Sequence, residues 1–149
     1  MLARQLTIEE LASEIPDGSK VALPPDYAYC ALSAVRALIR QQKRELHLVG
    51  VPSLGFQADM LIGAGCVATV ETAAVTLSEY GLAPRFTAAV KSGSITMMDA
   101  TCPAIHAALQ ASEKGTYQSP KRNKWNTFFR RLKSGVYSWT GGIHHCYRP

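Results

Sequence analysis

Four short apolar runs punctuate this chain: KVAL at 20–23, LHLVGV at 46–51, VATVETAAV at 67–75 and SITMMD at 94–99. Between them lie segments whose apolar residues recur at helical spacing. Thr7, with Glu10 three residues on, forms a capping-box pattern, and Ile8, Leu11, Ala12 and Ile15 follow on one helical face. Leu32, Val35, Leu38 and Ile39 repeat that period within 31–42, with Arg36, Arg40 and Lys43 on the other face. FQADMLIGAG, PRFTAAVKSG and PAIHAALQASEKG each close on glycine, and the last two open on proline. Strand and helix thus alternate at intervals of roughly 25 residues, which narrows the choice to an α/β fold. The expectation is an open, mostly parallel sheet with helices on both faces, since the strands are short and apolar.

In such a sheet, right-handed crossovers bring every strand-to-helix loop to one edge, and ligands bind there. The loops are 24–30, 51–57, 76–83 and 99–103. The first begins Pro24-Pro25-Asp26 and continues to Tyr27, Tyr29 and Cys30. The second holds Pro52, Ser53 and Gly55, the third Ser78, Glu79, Tyr80 and Gly81, and the fourth Asp99, Thr101 and Cys102. The chain has no GxGxxG and no P-loop, so the common nucleotide cradles are absent. His47 falls in a strand and His106 in a helix, positions that suit packed or surface histidines as well as catalytic ones. Glu71 and Glu79 are candidate acid/base groups, or edge carboxylates satisfied by backbone N–H groups. Cys30 and Cys102 are candidate nucleophiles, but neither has a histidine beside it in sequence to activate it. By residue chemistry alone this is an α/β domain with a ligand site at a loop edge and an incomplete set of catalytic groups. One half of a shared active site has that character.

Composition sharpens the boundaries. The 149 residues amount to one domain, and 47% of them are hydrophobic. Residues 1–115 carry nine Lys/Arg against eleven Asp/Glu, a net −2, while 116–149 carry seven Lys/Arg and no acid, a net +7. The chain therefore divides into a 1–115 body and a 116–149 basic tail. No run approaches the ~20 apolar residues of a membrane span. Glu9, Glu10 and Glu14 fall where a signal peptide would be apolar, so a cytoplasmic location is expected. Cys30, Cys66, Cys102 and Cys146 form no CxxC pair and read as free thiols. His144, His145 and Cys146 are a partial metal-ligand run, but a structural site needs about four ligands, so no metal is expected.

The body resembles the A (alpha) subunit of the family I CoA-transferases, of the glutaconate/3-oxoacid type, over about residues 5–115. IPDGSKVAL, VRALIRQQKRELHLVGVPSLG, DMLIGAG, VATVET and GLAPRFTAAVKSGSI carry the resemblance. It implies a two-subunit enzyme in which this chain supplies loops for CoA and the acyl group. A partner B subunit would supply the catalytic glutamate, so no catalytic residue is expected here. Backbone N–H groups in the loops would help hold CoA or an oxyanion. No bound cofactor is implied; the CoA thioester is itself substrate, with a carboxylic acid as acceptor. Pro24, Pro25 and Asp26 would lie near the acyl group. Val51, Pro52, Ser53, Gly55, Glu79 and Gly81 would line the CoA cleft.

Two departures from the family pattern stand out. The family's usual Asp-Gly, two residues, three apolar residues, then Gly-Gly-Phe is matched here through Leu23, after which Pro24, Pro25 and Asp26 replace Gly-Gly-Phe. Proline fixes φ and removes an N–H, so a loop meant to offer amides loses two of them. The loop is either rebuilt for another acyl group or decayed. Some relatives act on ring-opened steroid or aromatic breakdown products, as hydrolases or transferases, which makes an acyl-CoA hydrolase an alternative. The second departure is the tail, where the family's continuing strands give way to TYQSPKRNKWNTFFRRLKSGVYSWTGGIHHCYRP. Its expected origin is an out-of-frame or truncated end, which would make the chain a non-catalytic remnant. The rival is an interaction module that binds nucleic acid, with Trp125, Phe128, Phe129, Tyr137 and Trp139 stacking on bases.

Overall fold

A computed structural model describes residues 5–28 and 30–113. The basic tail, with its stacking aromatics and its His-His-Cys run, lies outside the described residues, as does Tyr29. The first helix, α1 (Ile8–Ser13), opens with the capping box expected from the sequence: the Glu10 N–H donates to Thr7 Oγ1, and the Thr7 N–H donates to Glu10 Oε2 at 2.7 Å. Hydrogen bonding to Thr7 holds the Glu10 carboxyl below its ordinary range.

The order is then β1 (Lys20–Leu23), α2 (Leu32–Arg40), β2 (Leu46–Gly50), α3 (Phe56–Gly63), β3 (Val67–Thr72), a 3-10 turn at Ser78–Tyr80, α4 (Pro84–Ser92), β4 (Thr96–Asp99) and α5 (Cys102–Glu113). Pro84 opens α4, and Gly93 closes it in the left-handed region (φ 69°), where a side chain would be strained. The third strand is shorter than its apolar run, because the chain leaves the sheet after Thr72.

The sheet runs β1-β2-β3-β4 in space, with every neighbouring pair parallel. This is the open parallel α/β architecture expected from the alternating pattern, with α1 to α4 gathered on one of its faces. Each right-handed crossover steps in the same direction and so leaves its helix on the same side. Accordingly α1 packs on α2, α2 on α3 and α3 on α4 as one layer.

Burial records the same asymmetry. Along β2, buried Leu46, Leu48 and Gly50 alternate with half-buried His47 and Val49. The core beneath the helices joins Leu46, Leu48, Val70, Leu54, Leu61 and Val35, each no more than 2% exposed. No described helix is long and apolar enough to cross a membrane.

Candidate functional site

Three of the four carboxyl-edge loops are tied together by hydrogen bonds, and most of the residues singled out from sequence take part. In the β1–α2 loop, the Pro25 carbonyl accepts the Ala28 N–H at 2.9 Å to close a turn. Asp26 reaches across to α3, where Oδ2 accepts the Phe56 N–H at 2.5 Å. A side chain at Gly55 would collide with that carboxylate, so Gly55 is what lets Asp26 approach. Helix N-termini favour negative charge through their unpaired N–H groups and dipole. Asp26 fills that role for α3, which has no capping side chain of its own.

Gln57 locks the arrangement from beneath. It is 1% exposed; its Oε1 accepts the Ala31 N–H at 2.9 Å and its Nε2 donates to the Pro24 carbonyl at 3.3 Å. Sequence reasoning misses it. The available signal is a polar residue four positions before Leu61, on the helix face that carries the core, where an amide must find partners.

Asp59, also 1% exposed, caps the next helix in the same manner. Its Oδ1 accepts the Phe86 N–H at 2.9 Å, and Arg85 Nη1 lies 3.4 Å from its Oδ2. Two helix N-termini at this edge therefore already hold carboxylates from the chain itself. The Phe56 and Phe86 amides are thereby taken up by the chain's own carboxylates.

The β2–α3 and β3–α4 loops run side by side beyond the sheet. Leu54 N–H donates to the Ala74 carbonyl and Thr76 N–H to the Leu54 carbonyl. The Val51–Pro52 bond is cis. The Pro52 carbonyl accepts the Ala73 N–H at 3.1 Å and lies 3.1 Å from the hydroxyl of fully buried Thr72. Val51, Pro52 and Ser53 are half-buried. Glu79 and Gly81 stand apart. They belong to an exposed turn in which the Gly81 carbonyl accepts the Leu77 N–H and the Thr76 hydroxyl. The structure therefore brings Pro24, Asp26 and Gly55 into one bonded unit, places Val51 to Ser53 in an adjoining one, and leaves Glu79 and Gly81 at a projecting tip.

The edge carries little reactive chemistry. Cys30 Sγ donates to the Asp26 carbonyl at 3.1 Å, and burial, with Asp26 beside it, pushes the thiol up. A thiol held in its protonated form is a poor nucleophile. What the edge does carry is exposed apolar surface: Tyr27 at 85%, Tyr80 at 89%, Leu82 at 68% and Phe56 at 44%, all on these loops or at their junction with α3.

Glu71 lies away from this edge cluster. Among the described residues its partners are on neighbouring strands: its Oε2 is 2.9 Å from Lys20 Nζ and 3.1 Å from His47 Nε2, across three strands of the face opposite α1–α4. His47 Nε2 is buried without a well-aligned hydrogen bond.

No protein-family model and no curated protein sequence matches this chain. Solved structures do. A variant of the decarboxylase AibA/AibB superposes with a TM-score of 0.67 and 28% identity, covering 75% of this chain and 44% of that one. Glutaconate coenzyme A-transferase from Acidaminococcus fermentans superposes with a TM-score of 0.66 and 23% identity, covering 74% of this chain and 35% of that one. The chain has a CoA-transferase-like α/β fold and spans less than half the length of the solved chains it matches.

Proposed function

We propose that this chain acts as the alpha-type half of an acyl-CoA:carboxylate CoA-transferase. It contributes the loops that receive CoA and the acyl group, and a partner B subunit contributes the catalytic glutamate. The observation that carries this reading is the carboxyl edge of a CoA-transferase-like fold. That edge has bonded loops and exposed aromatic surface, but its Cys30 thiol is bonded to the Asp26 carbonyl and its Asp26 carboxylate is engaged on a helix. In a transferase of this kind the nucleophile arrives from outside, and the exposed Tyr27, Phe56, Tyr80 and Leu82 give a second chain an apolar surface to cover.

The chemistry needs only a CoA thioester and a carboxylate. The partner's glutamate attacks the acyl carbonyl and expels the CoA thiolate to give an anhydride. The thiolate then attacks the glutamyl carbonyl, releasing the donor's carboxylate and leaving a glutamyl-CoA thioester. The acceptor carboxylate runs the same two steps in reverse, leaving as the new acyl-CoA and freeing the glutamate. In this reading Pro24 to Asp26 lie by the acyl group, Val51, Pro52, Ser53 and Gly55 line the CoA cleft, and Glu79 and Gly81 extend that lining from their exposed turn. The test is co-expression with a B subunit of the family. A soluble complex with acyl-CoA-dependent turnover, lost when either chain is omitted, supports the reading. Absence of both complex and turnover sinks it and leaves a non-catalytic chain.

A further inference from the structure

Asp26 carries a negative charge into the loop that the proposed function gives to the acyl group, and the fold holds that charge in place. Its carboxylate is seated on the Phe56 N–H, in room left by the absent side chain of Gly55. The backbone on either side is fixed by Pro24 and Pro25, and by buried Gln57, which grips both the Pro24 carbonyl and the Ala31 N–H. The loop therefore cannot swing the charge away without breaking several bonds. An acyl group ending in its own carboxylate would meet a fixed like charge and would compete for the same N–H. Like charges brought together at a binding site are discriminated against strongly.

We propose that Asp26 sets the substrate class of this site: acyl-CoA thioesters whose acyl chain bears no second carboxylate. The inference rests on the acyl-CoA reading above. It also gives the Pro-Pro-Asp sequence a purpose, since two prolines hold rigid a loop whose acid has one seat.

The experiment titrates the full chain, alone and in the complex described above, with CoA, butyryl-CoA and glutaryl-CoA, the two esters differing at the end of the acyl chain by a carboxylate. The wild type is expected to bind butyryl-CoA tighter than glutaryl-CoA by about tenfold. Asp26→Asn, which keeps the shape and removes the charge, and Gly55→Ala, which displaces the carboxylate, should both bring that ratio close to one. The amide shift of Phe56 should move in both variants, and the dispersion of the other amide signals reports whether each is folded. Equal binding of the two esters by the wild type, or a ratio unchanged in folded Asp26→Asn, overturns the assignment of Asp26 while leaving the acyl-CoA reading in place. Failure of CoA and both esters to bind in either setting removes the acyl-CoA reading and the substrate class with it.

Discussion

The two faces of this sheet are built from the same strands and share almost nothing. On the helix-covered face β2 presents Leu46 and Leu48 and β3 presents Val70, each fully buried among apolar neighbours. One residue along, the opposite face presents Lys20, His47 and Glu71 as a polar group spanning three strands. A parallel sheet covered on both sides has strands that are apolar throughout. The polar residues in the middle of β2 and β3 thus record that α1–α4 bury one face only. A sheet wound in one direction places its helices on one side, and the strand sequences have to match that.

The comparison is most directly broken at Leu48 and Val49, adjacent residues on opposite faces. Leu48→Ala should cost about 2–5 kcal/mol, since the side chain is wholly enclosed and a cavity would remain. Val49→Ala, at a half-buried position, should cost about 1 kcal/mol or less. Urea unfolding of both variants measures the difference, and equal losses would mean that the second face is as tightly packed as the first. Thr72 tests the polar exception on the covered face. It is 0% exposed, and its hydroxyl lies 3.1 Å from the Pro52 carbonyl and 3.0 Å from the Ala74 carbonyl. Thr72→Val keeps the shape and removes the donor, so about 1–3 kcal/mol should be lost, with Thr72→Ser retaining more of the stability.

The alternation of apolar runs and helical periods is enough to place every described strand, the capping box of α1 and the proline and glycine ends of α4. Local rules govern those features, and local rules are visible in sequence. The one-sided winding is not visible, because periodicity says that a strand is apolar but not which way the next crossover steps. LHLVG looks continuous, although its His47 is the mark of the other face. At the candidate site, Pro24-Pro25-Asp26 stands out as unusual in the sequence, but the seat of its acid does not. Its bond to Phe56 joins residues thirty positions apart, and no spacing rule reaches that far. Gln57 escapes notice for the same reason, although a polar residue on the core face of a helix asks for partners. Glu71 looks like an edge carboxylate from sequence because its charged neighbours lie on two other strands.

The charged face gives the smaller effects. Glu71 is 16% exposed but its Lys20 partner is 57% exposed, so water screens that pair. Glu71→Gln should cost no more than about 1 kcal/mol. Its clearer signature is at His47, where the loss of a neighbouring carboxylate should move the imidazole further down, as followed by NMR titration. A rise would show that Glu71 does not act on His47 in this way.

The same histidine sets the weakest and most specific expectation. Burial chiefly, and then the Lys20 ammonium, hold His47 below its ordinary value, while Glu71 pulls the other way. An unfolded histidine titrates near about 6.5. With the folded value lower, the unfolded chain binds more protons in the window just below that point, so stability is full above it and falls as the pH drops through the folded value. Unfolding midpoints measured from pH 7.5 downward should therefore decline more steeply for the wild type than for His47→Gln, which has no imidazole to charge. Lys20→Ala should lessen the decline by removing the ammonium. A wild-type midpoint that instead rises as the pH falls through this window, in a way that His47→Gln abolishes, would mean that Glu71 outweighs both burial and Lys20. The second face would then be held together by a charged histidine and not merely tolerate a neutral one.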